Sequence, residues 1–122
     1  MGETEAACVT AAQIKEILSA RVLVPGSAQV RPAGCFVCDI MSRAMAKGFE
    51  GMIWITHRSD MNALAVAVMK GAACMIFPEG IMPEEDVVRR AEMENMPLLL
   101  SDQSAFELAG RIYEYMHRGA AV

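Results

Sequence analysis

An α/β fold, with a mostly parallel β-sheet flanked by helices in three layers, is what this sequence predicts. Three apolar runs carry that reading: "MIWIT" from Met52, "ACMIFP" from Ala73 and "PLLLS" from Pro97. Each is continuously apolar rather than alternating, as in parallel strands covered on both faces. Each is followed by a helical stretch, at a spacing that suits right-handed strand–helix–strand crossovers. With 122 residues the chain makes one domain spanning 1–122, large enough for a proper core.

Residues 1–9 are expected to form a loose leading segment. A first helix is predicted from about Thr10 to Ser19, opened by Thr10 and Gln13 in the spacing of a capping box. "RVLVPG" reads as a short strand ended by Pro25-Gly26, and "QVRPAGCFVCDI" adds another. "MSRAMAKG" is a short helix closed by Gly48. Pro83 followed by Glu84, Glu85 and Asp86 starts a helix with acids at its positive end. Ser104 and Glu107 form a second capping box, and the helix they open sets Ala105, Leu108, Ala109, Ile112, Tyr113 and Met116 on one face. The stretch "MNALAVAVMKG" is apolar nearly all round, so it is expected to be buried by the sheet and by another helix or a partner chain.

The apolar share, 54%, is high for so small a chain, and 11 methionines contribute to it. Such an excess points to a contact with another subunit. A net charge of −4 with scattered basic residues argues against nucleic acid as partner. The acidic "MGETEAACVTAAQ" start is unlike a secretory signal, and no apolar stretch is long enough to span a bilayer. A cytoplasmic protein without membrane or cofactor is expected. Its four cysteines are then thiols rather than a disulfide framework. Cys35 and Cys38 form a Cys-x-x-Cys, but no second pair completes a metal site; buried structural thiols are favoured over metal or redox chemistry.

In an open parallel sheet, ligands bind beyond the carboxyl ends of the strands. Those ends are Asp39 with Ser42, Thr56 to Asn62, Glu79 with Gly80, and Ser101 to Ser104. The polar run Thr56-His57-Arg58-Ser59-Asp60 interrupts two apolar segments and follows the strand expected to be most central. Ser59 or Asp60 would open the next helix, and with His57 and Arg58 that end could hold a carboxylate or phosphate. The plainer alternative makes Ser59 and Asp60 ordinary caps and pairs Arg58 with Glu79 or Asp102. The candidate ligand-binding residues are Asp39, Ser42, Thr56, His57, Arg58, Ser59, Asn62, Gly80, Ser101 and Ser104. No catalytic set emerges. A P-loop is excluded, since there is no Gly-x-x-x-x-Gly-Lys-Ser/Thr. Ser42, Ser59, Ser101 and Ser104 lack a spaced base, and Asp39 with Asp60 is only a weak carboxylate pair.

"CDIMSRAMA", "WITHRSDMNALAVA" and "SAFELAGRIYEYM" together resemble stand-alone DRTGG-domain proteins, from about Thr10 to Met116. Thr56, Asn62 and Ala65-Val66-Ala67 match that pattern, and Asp39-Ile40-Met41-Ser42 stands where the family has Asp-Leu-Leu-Ser. At the eponymous motif this chain reads His57-Arg58-Ser59-Asp60-Met61, keeping only Arg58. The resemblance implies a fold like the N-terminal domain of HPr kinase, commonly dimeric, without the kinase P-loop. It also implies regulatory roles beside phosphotransacetylase or paired CBS modules, and, for stand-alone members, genes beside iron-only hydrogenase or NADH-dehydrogenase-like subunits. The leading expectation is a non-enzymatic regulatory or ligand-sensing homodimer for a small anionic or nucleotide-like ligand or a partner protein. The alternative is an accessory protein of such a redox system, using Cys35 and Cys38.

Overall fold

The computed structural model describes residues 11–26 and 32–118. The expected loose segment 1–9, Cys8 and the Thr10 cap lie outside them. In chain order the elements are α1 (Ala11–Leu18), β1 (Arg21–Val24), β2 (Gly34–Val37), α2 (Met41–Lys47) and β3 (Met52–Ile55). Then follow α3 (Met61–Lys70), β4 (Cys74–Phe77), α4 (Glu85–Met93), β5 (Leu98–Leu100) and α5 (Ala105–Met116).

The five strands form one sheet in the order β1-β5-β4-β3-β2. β2, β3, β4 and β5 are parallel neighbours, with Gly34 beside Met52, Ile53 beside Cys74 and Met75 beside Leu98. β1 closes the far edge antiparallel to β5, with Arg21 opposite Leu100 and an irregularity between Val22 and Val24. β4, not β3, is therefore the central strand. β3 lies one place from the β2 edge, although both are fully buried.

The three crossovers from β2 to β5 all step the same way. Right-handed connections then put α2, α3 and α4 together on one face. Strand alternation divides the core accordingly. Met52, Trp54, Met75, Phe77 and Leu98 pack with Ala44, Leu64, Ala67, Val87 and Ala91 from those helices. Ile53, Ile55, Cys74, Ile76 and Leu99 face the other way, against Ile14 and Leu18 of α1 and Leu108 and Ile112 of α5. Three layers result.

Gly48 closes α2 as expected, its amide donating to the Ala44 carbonyl at 2.8 Å; its φ is −61°, and a Cβ there would sit 2.5 Å from that carbonyl oxygen, so glycine is needed for close approach. Two local expectations need correction. On α5, Tyr113 points outward, 65% exposed, and stacks on His117, while Tyr115 packs into the core instead. α3 buries one face through Ala63, Leu64, Val66 and Ala67, whereas Met61, Asn62, Ala65 and Met69 are exposed. Its apolar character all round thus leaves a methionine-bearing surface rather than a helix enclosed on two sides.

Candidate functional site

The carboxyl ends of the four parallel strands lie at one edge of the sheet, and hydrogen bonds tie their loops into a continuous rim. From the β2 loop, Asp39 reaches the β3 loop. Its Oδ1 accepts from the Thr56 hydroxyl at 2.9 Å and from the His57 backbone amide at 2.7 Å, while its Oδ2 lies 2.9 Å from His57 Nδ1. The β4 loop joins through Glu79, whose carboxylate is 3.6 Å from His57 Nε2. It is bonded in turn to the β5 loop, since the Glu79 amide donates to the Gln103 carbonyl at 2.9 Å and the Gly80 amide to the Ser101 carbonyl at 2.8 Å.

Local sequence explains each part. Thr56 continues β3 and is fully buried; a hydroxyl there can be buried because it donates to Asp39 and accepts from the Arg58 amide at 3.0 Å. Beneath the rim the Trp54 indole N–H donates to the Cys38 carbonyl at 2.9 Å, fixing where the β2 loop turns. Asp60 caps α3, accepting from the Ala63 amide at 3.3 Å. Glu79 has a φ of 58° and Gly80 of 71°, two successive left-handed residues, of which only the second, lacking a Cβ, suits this conformation. Backbone strain at Glu79 thus holds a carboxylate beside the imidazole.

Charge follows this wiring. The hydrogen bond to Asp39 raises the His57 pKa above the usual imidazole value; desolvation opposes it, and Asp39's charge and Glu79 add to the rise. For Asp39, partial burial pushes upward but is outweighed by the bonds from the His57 amide, the Thr56 hydroxyl and the His57 ring, so its pKa is lowered. Arg58 donates to Asp60 at 2.8 Å and holds that carboxyl low as well. Arg58 therefore pairs with neither Glu79 nor Asp102. Asp39 and Asp60 likewise do not form a carboxylate pair: Asp39 is bonded to His57 and Asp60 to Arg58.

The remaining candidates are placed less uniformly. Ser101 is buried, and its hydroxyl accepts from the Gln103 amide at 3.0 Å. Ser104 is committed to the α5 capping box with Glu107. Ser42 and Asn62 stand exposed in the first turns of α2 and α3, and Ser59 is half-buried beside the α3 cap. None of the four candidate serines hydrogen-bonds to His57. Two participants were not among the candidates: Glu79, the second carboxylate on His57, and Gln103. The Gln103 side chain links the Leu18 carbonyl to Arg111, tying the rim to α1 and α5. Their only signal was position just after a strand.

Burial pushes the Cys35 thiol up to about 11, and Cys74 to about 12. Cys35 packs against the α1–α5 side of the core, and the Cys38 thiol donates to the Ile40 carbonyl. Among the described residues, no three His, Cys, Asp or Glu side chains converge as a metal site. No described helix is long and apolar enough to cross a membrane.

The DRTGG domain model matches residues 13–115, nearly the whole chain. The chain belongs to the DRTGG domain family. A similar solved structure is the crystal structure of the CBS and DRTGG domains of the regulatory region of Clostridium perfringens pyrophosphatase, complexed with its activator diadenosine tetraphosphate. The two superpose with a TM-score of 0.69 at 15% identity, over 91% of this chain and 48% of the other, so this DRTGG domain spans about half of that regulatory region. No curated protein matches the chain.

Proposed function

We propose that this DRTGG domain is a non-enzymatic regulatory module in the cytoplasm, which senses a small nucleotide-like ligand at the strand-end rim and works as a homodimer. One observation carries the ligand reading: four separate loops are wired into one polar edge by Asp39, Thr56, His57 and Glu79. A DRTGG-containing regulatory region that binds diadenosine tetraphosphate adds support from a relative of the same fold.

The charge on the rim narrows the ligand. Arg58, and His57 with its raised pKa, stand against Asp39, Asp60, Glu79 and Asp102. A bare anion meets more repulsion than attraction there. A molecule bearing both an anionic group for Arg58 and hydroxyl or amino donors for the carboxylates fits better, as a nucleotide does. Catalysis is disfavoured because both His57 nitrogens already face carboxylates and no serine reaches them. Thiol or metal chemistry that needs Cys35 beside Cys38 is disfavoured too, since burial pushes the Cys35 thiol up to about 11 and leaves it almost without thiolate at neutral pH.

Self-association is supported by apolar surface at the β2 edge, where Val37 is 52% and Ile40 60% exposed. Light scattering at micromolar concentration tests it: a dimer is expected, and a monomer contradicts it. A thermal-shift screen of nucleotides, acyl phosphates and dicarboxylates tests the ligand. A nucleotide hit that disappears in Arg58→Ala supports the rim; a hit unaffected by that change places binding elsewhere.

A further inference from the structure

Past Ser101 the rim gives way to a feature of different charge. Among the described residues, an open groove of about 750 Å³ crosses the β5–β1 end of the sheet, between the last turn of α1, the start of β1 and the β5 loop. Lys15 and Arg21 line it together with Ser19, Val22, Ser101 and Asp102. Neither Lys15 nor Arg21 makes an ion pair or a side-chain hydrogen bond among the described residues, although the chain carries more acids than bases. Arg58, by contrast, pairs with Asp60, and Arg111 donates to the Gln103 side chain.

The α1 terminus does not cancel these two charges. The Lys15 and Glu16 carbonyls, which would form the negative end of the helix, accept from the Ala20 and Ser19 amides. Closing that turn places Ser19 at a φ of 54°, a left-handed conformation costly for a residue with a Cβ. A glycine would relieve the strain, but a serine stands here, lining the groove.

We infer that this groove is a second binding site, for a small phosphorylated molecule bearing hydroxyls, such as a sugar phosphate. Lys15 and Arg21 hold the phosphate as unpaired cations, forming charge-assisted hydrogen bonds to its oxygens. Asp102 accepts from a sugar hydroxyl; it also repels a molecule that is anionic throughout, which selects a monophosphate with a neutral polar body. The volume suits that size, since small-molecule sites run to roughly 300–1,000 Å³, far more than one phosphate fills. The groove adjoins the rim and shares Ser101 and Asp102 with it, but its two cations, Lys15 and Arg21, make no contact with Asp39, His57 or Arg58 among the described residues, so it does not depend on the rim reading.

Isothermal titration of the full chain with ribose 5-phosphate, inorganic phosphate and ribose tests this. Ribose 5-phosphate is expected to bind saturably, inorganic phosphate more weakly and ribose not at all. Lys15→Ala and Arg21→Ala should each weaken ribose 5-phosphate about tenfold, while Arg58→Ala leaves it unchanged. Asp102→Asn should tighten inorganic phosphate and abolish the preference for the sugar phosphate. No binding of ribose 5-phosphate, equal binding of inorganic phosphate, or loss in Arg58→Ala with none in Arg21→Ala would each overturn the assignment. Circular dichroism of Arg21→Ala and Lys15→Ala separates lost binding from lost folding. Loss of nucleotide binding at the rim alone would leave these outcomes untouched.

Discussion

One carboxylate, Asp39, takes three hydrogen bonds from two consecutive residues: the Thr56 hydroxyl, the His57 amide and the His57 ring. Through it the loop after the edge strand β2 is locked to the loop after β3. Its pH dependence has a definite sign. The folded His57 pKa lies above the unfolded value of about 6.5, so its contribution is complete below that value and is lost as pH rises through the folded pKa. The folded Asp39 pKa lies below 3.8, so its contribution is present above 3.8 and is lost as pH falls through the folded value. The pair stabilises most between those limits. Melting temperature should decline from pH 6 to pH 8, and His57→Gln should flatten the decline. The effect is small, under about 1 kcal/mol, because both groups are partly exposed.

Removing the partner should move the imidazole. In Asp39→Asn, the His57 ring protons are expected to titrate at a lower pH than in the unchanged chain, because the hydrogen bond to a charged acceptor is the largest cause of its raised pKa. A two-dimensional NMR titration of the ring reads this directly. An unshifted His57 would mean that the bond does not persist in solution.

Glu79 offers a separation of strain from function. Glycine at this position relieves a φ of 58°, worth roughly 1 kcal/mol, while removing the second carboxylate from His57. Glu79→Gly should therefore melt higher than the unchanged chain and yet have a lower His57 pKa. A fall in both would show that the carboxylate contributes more to stability than the backbone costs.

Substitutions along α5 should differ in cost according to what each side chain touches. Leu108→Ala removes a fully buried side chain from the α1–α5 side of the core and is expected to cost about 2–5 kcal/mol in chemical denaturation. Tyr113→Ala, on an exposed face, should cost under about 0.5 kcal/mol. Ser104→Ala, which removes the hydroxyl of the capping box, should fall between them at about 1 kcal/mol.

Much of this architecture is legible in the chain because the signals are local. Continuous apolar runs marked β3, β4 and β5 as doubly covered, and Ser104 with Glu107 marked the start of α5 at the right residue. The convergence of the strand-end loops followed from parallel strand direction alone. What stayed hidden depends on pairing at a distance. No local pattern tells that β1 returns antiparallel beside β5 and so makes β4 the centre. Tyr113 and Tyr115 are equally apolar in the sequence, and only the packing of α5 on the sheet decides which is inside. Glu79 could not be matched with His57 because their contact spans two loops and relies on a left-handed turn that favours glycine, not glutamate. Gly48 was legible as the end of α2, but not the reason for glycine there, which is the close approach of the Ala44 carbonyl.

The rim as a ligand site is tested most directly by mapping backbone amide shifts, residue by residue, for the nucleotide that gives the strongest thermal shift. Perturbations gathered on Cys38 to Ile40, Thr56 to Ala63, Glu79 to Gly80 and Ser101 to Ser104 are the expected result. Perturbations concentrated at the other end of the sheet, around Gly51, Ala73 and Met96, would contradict it.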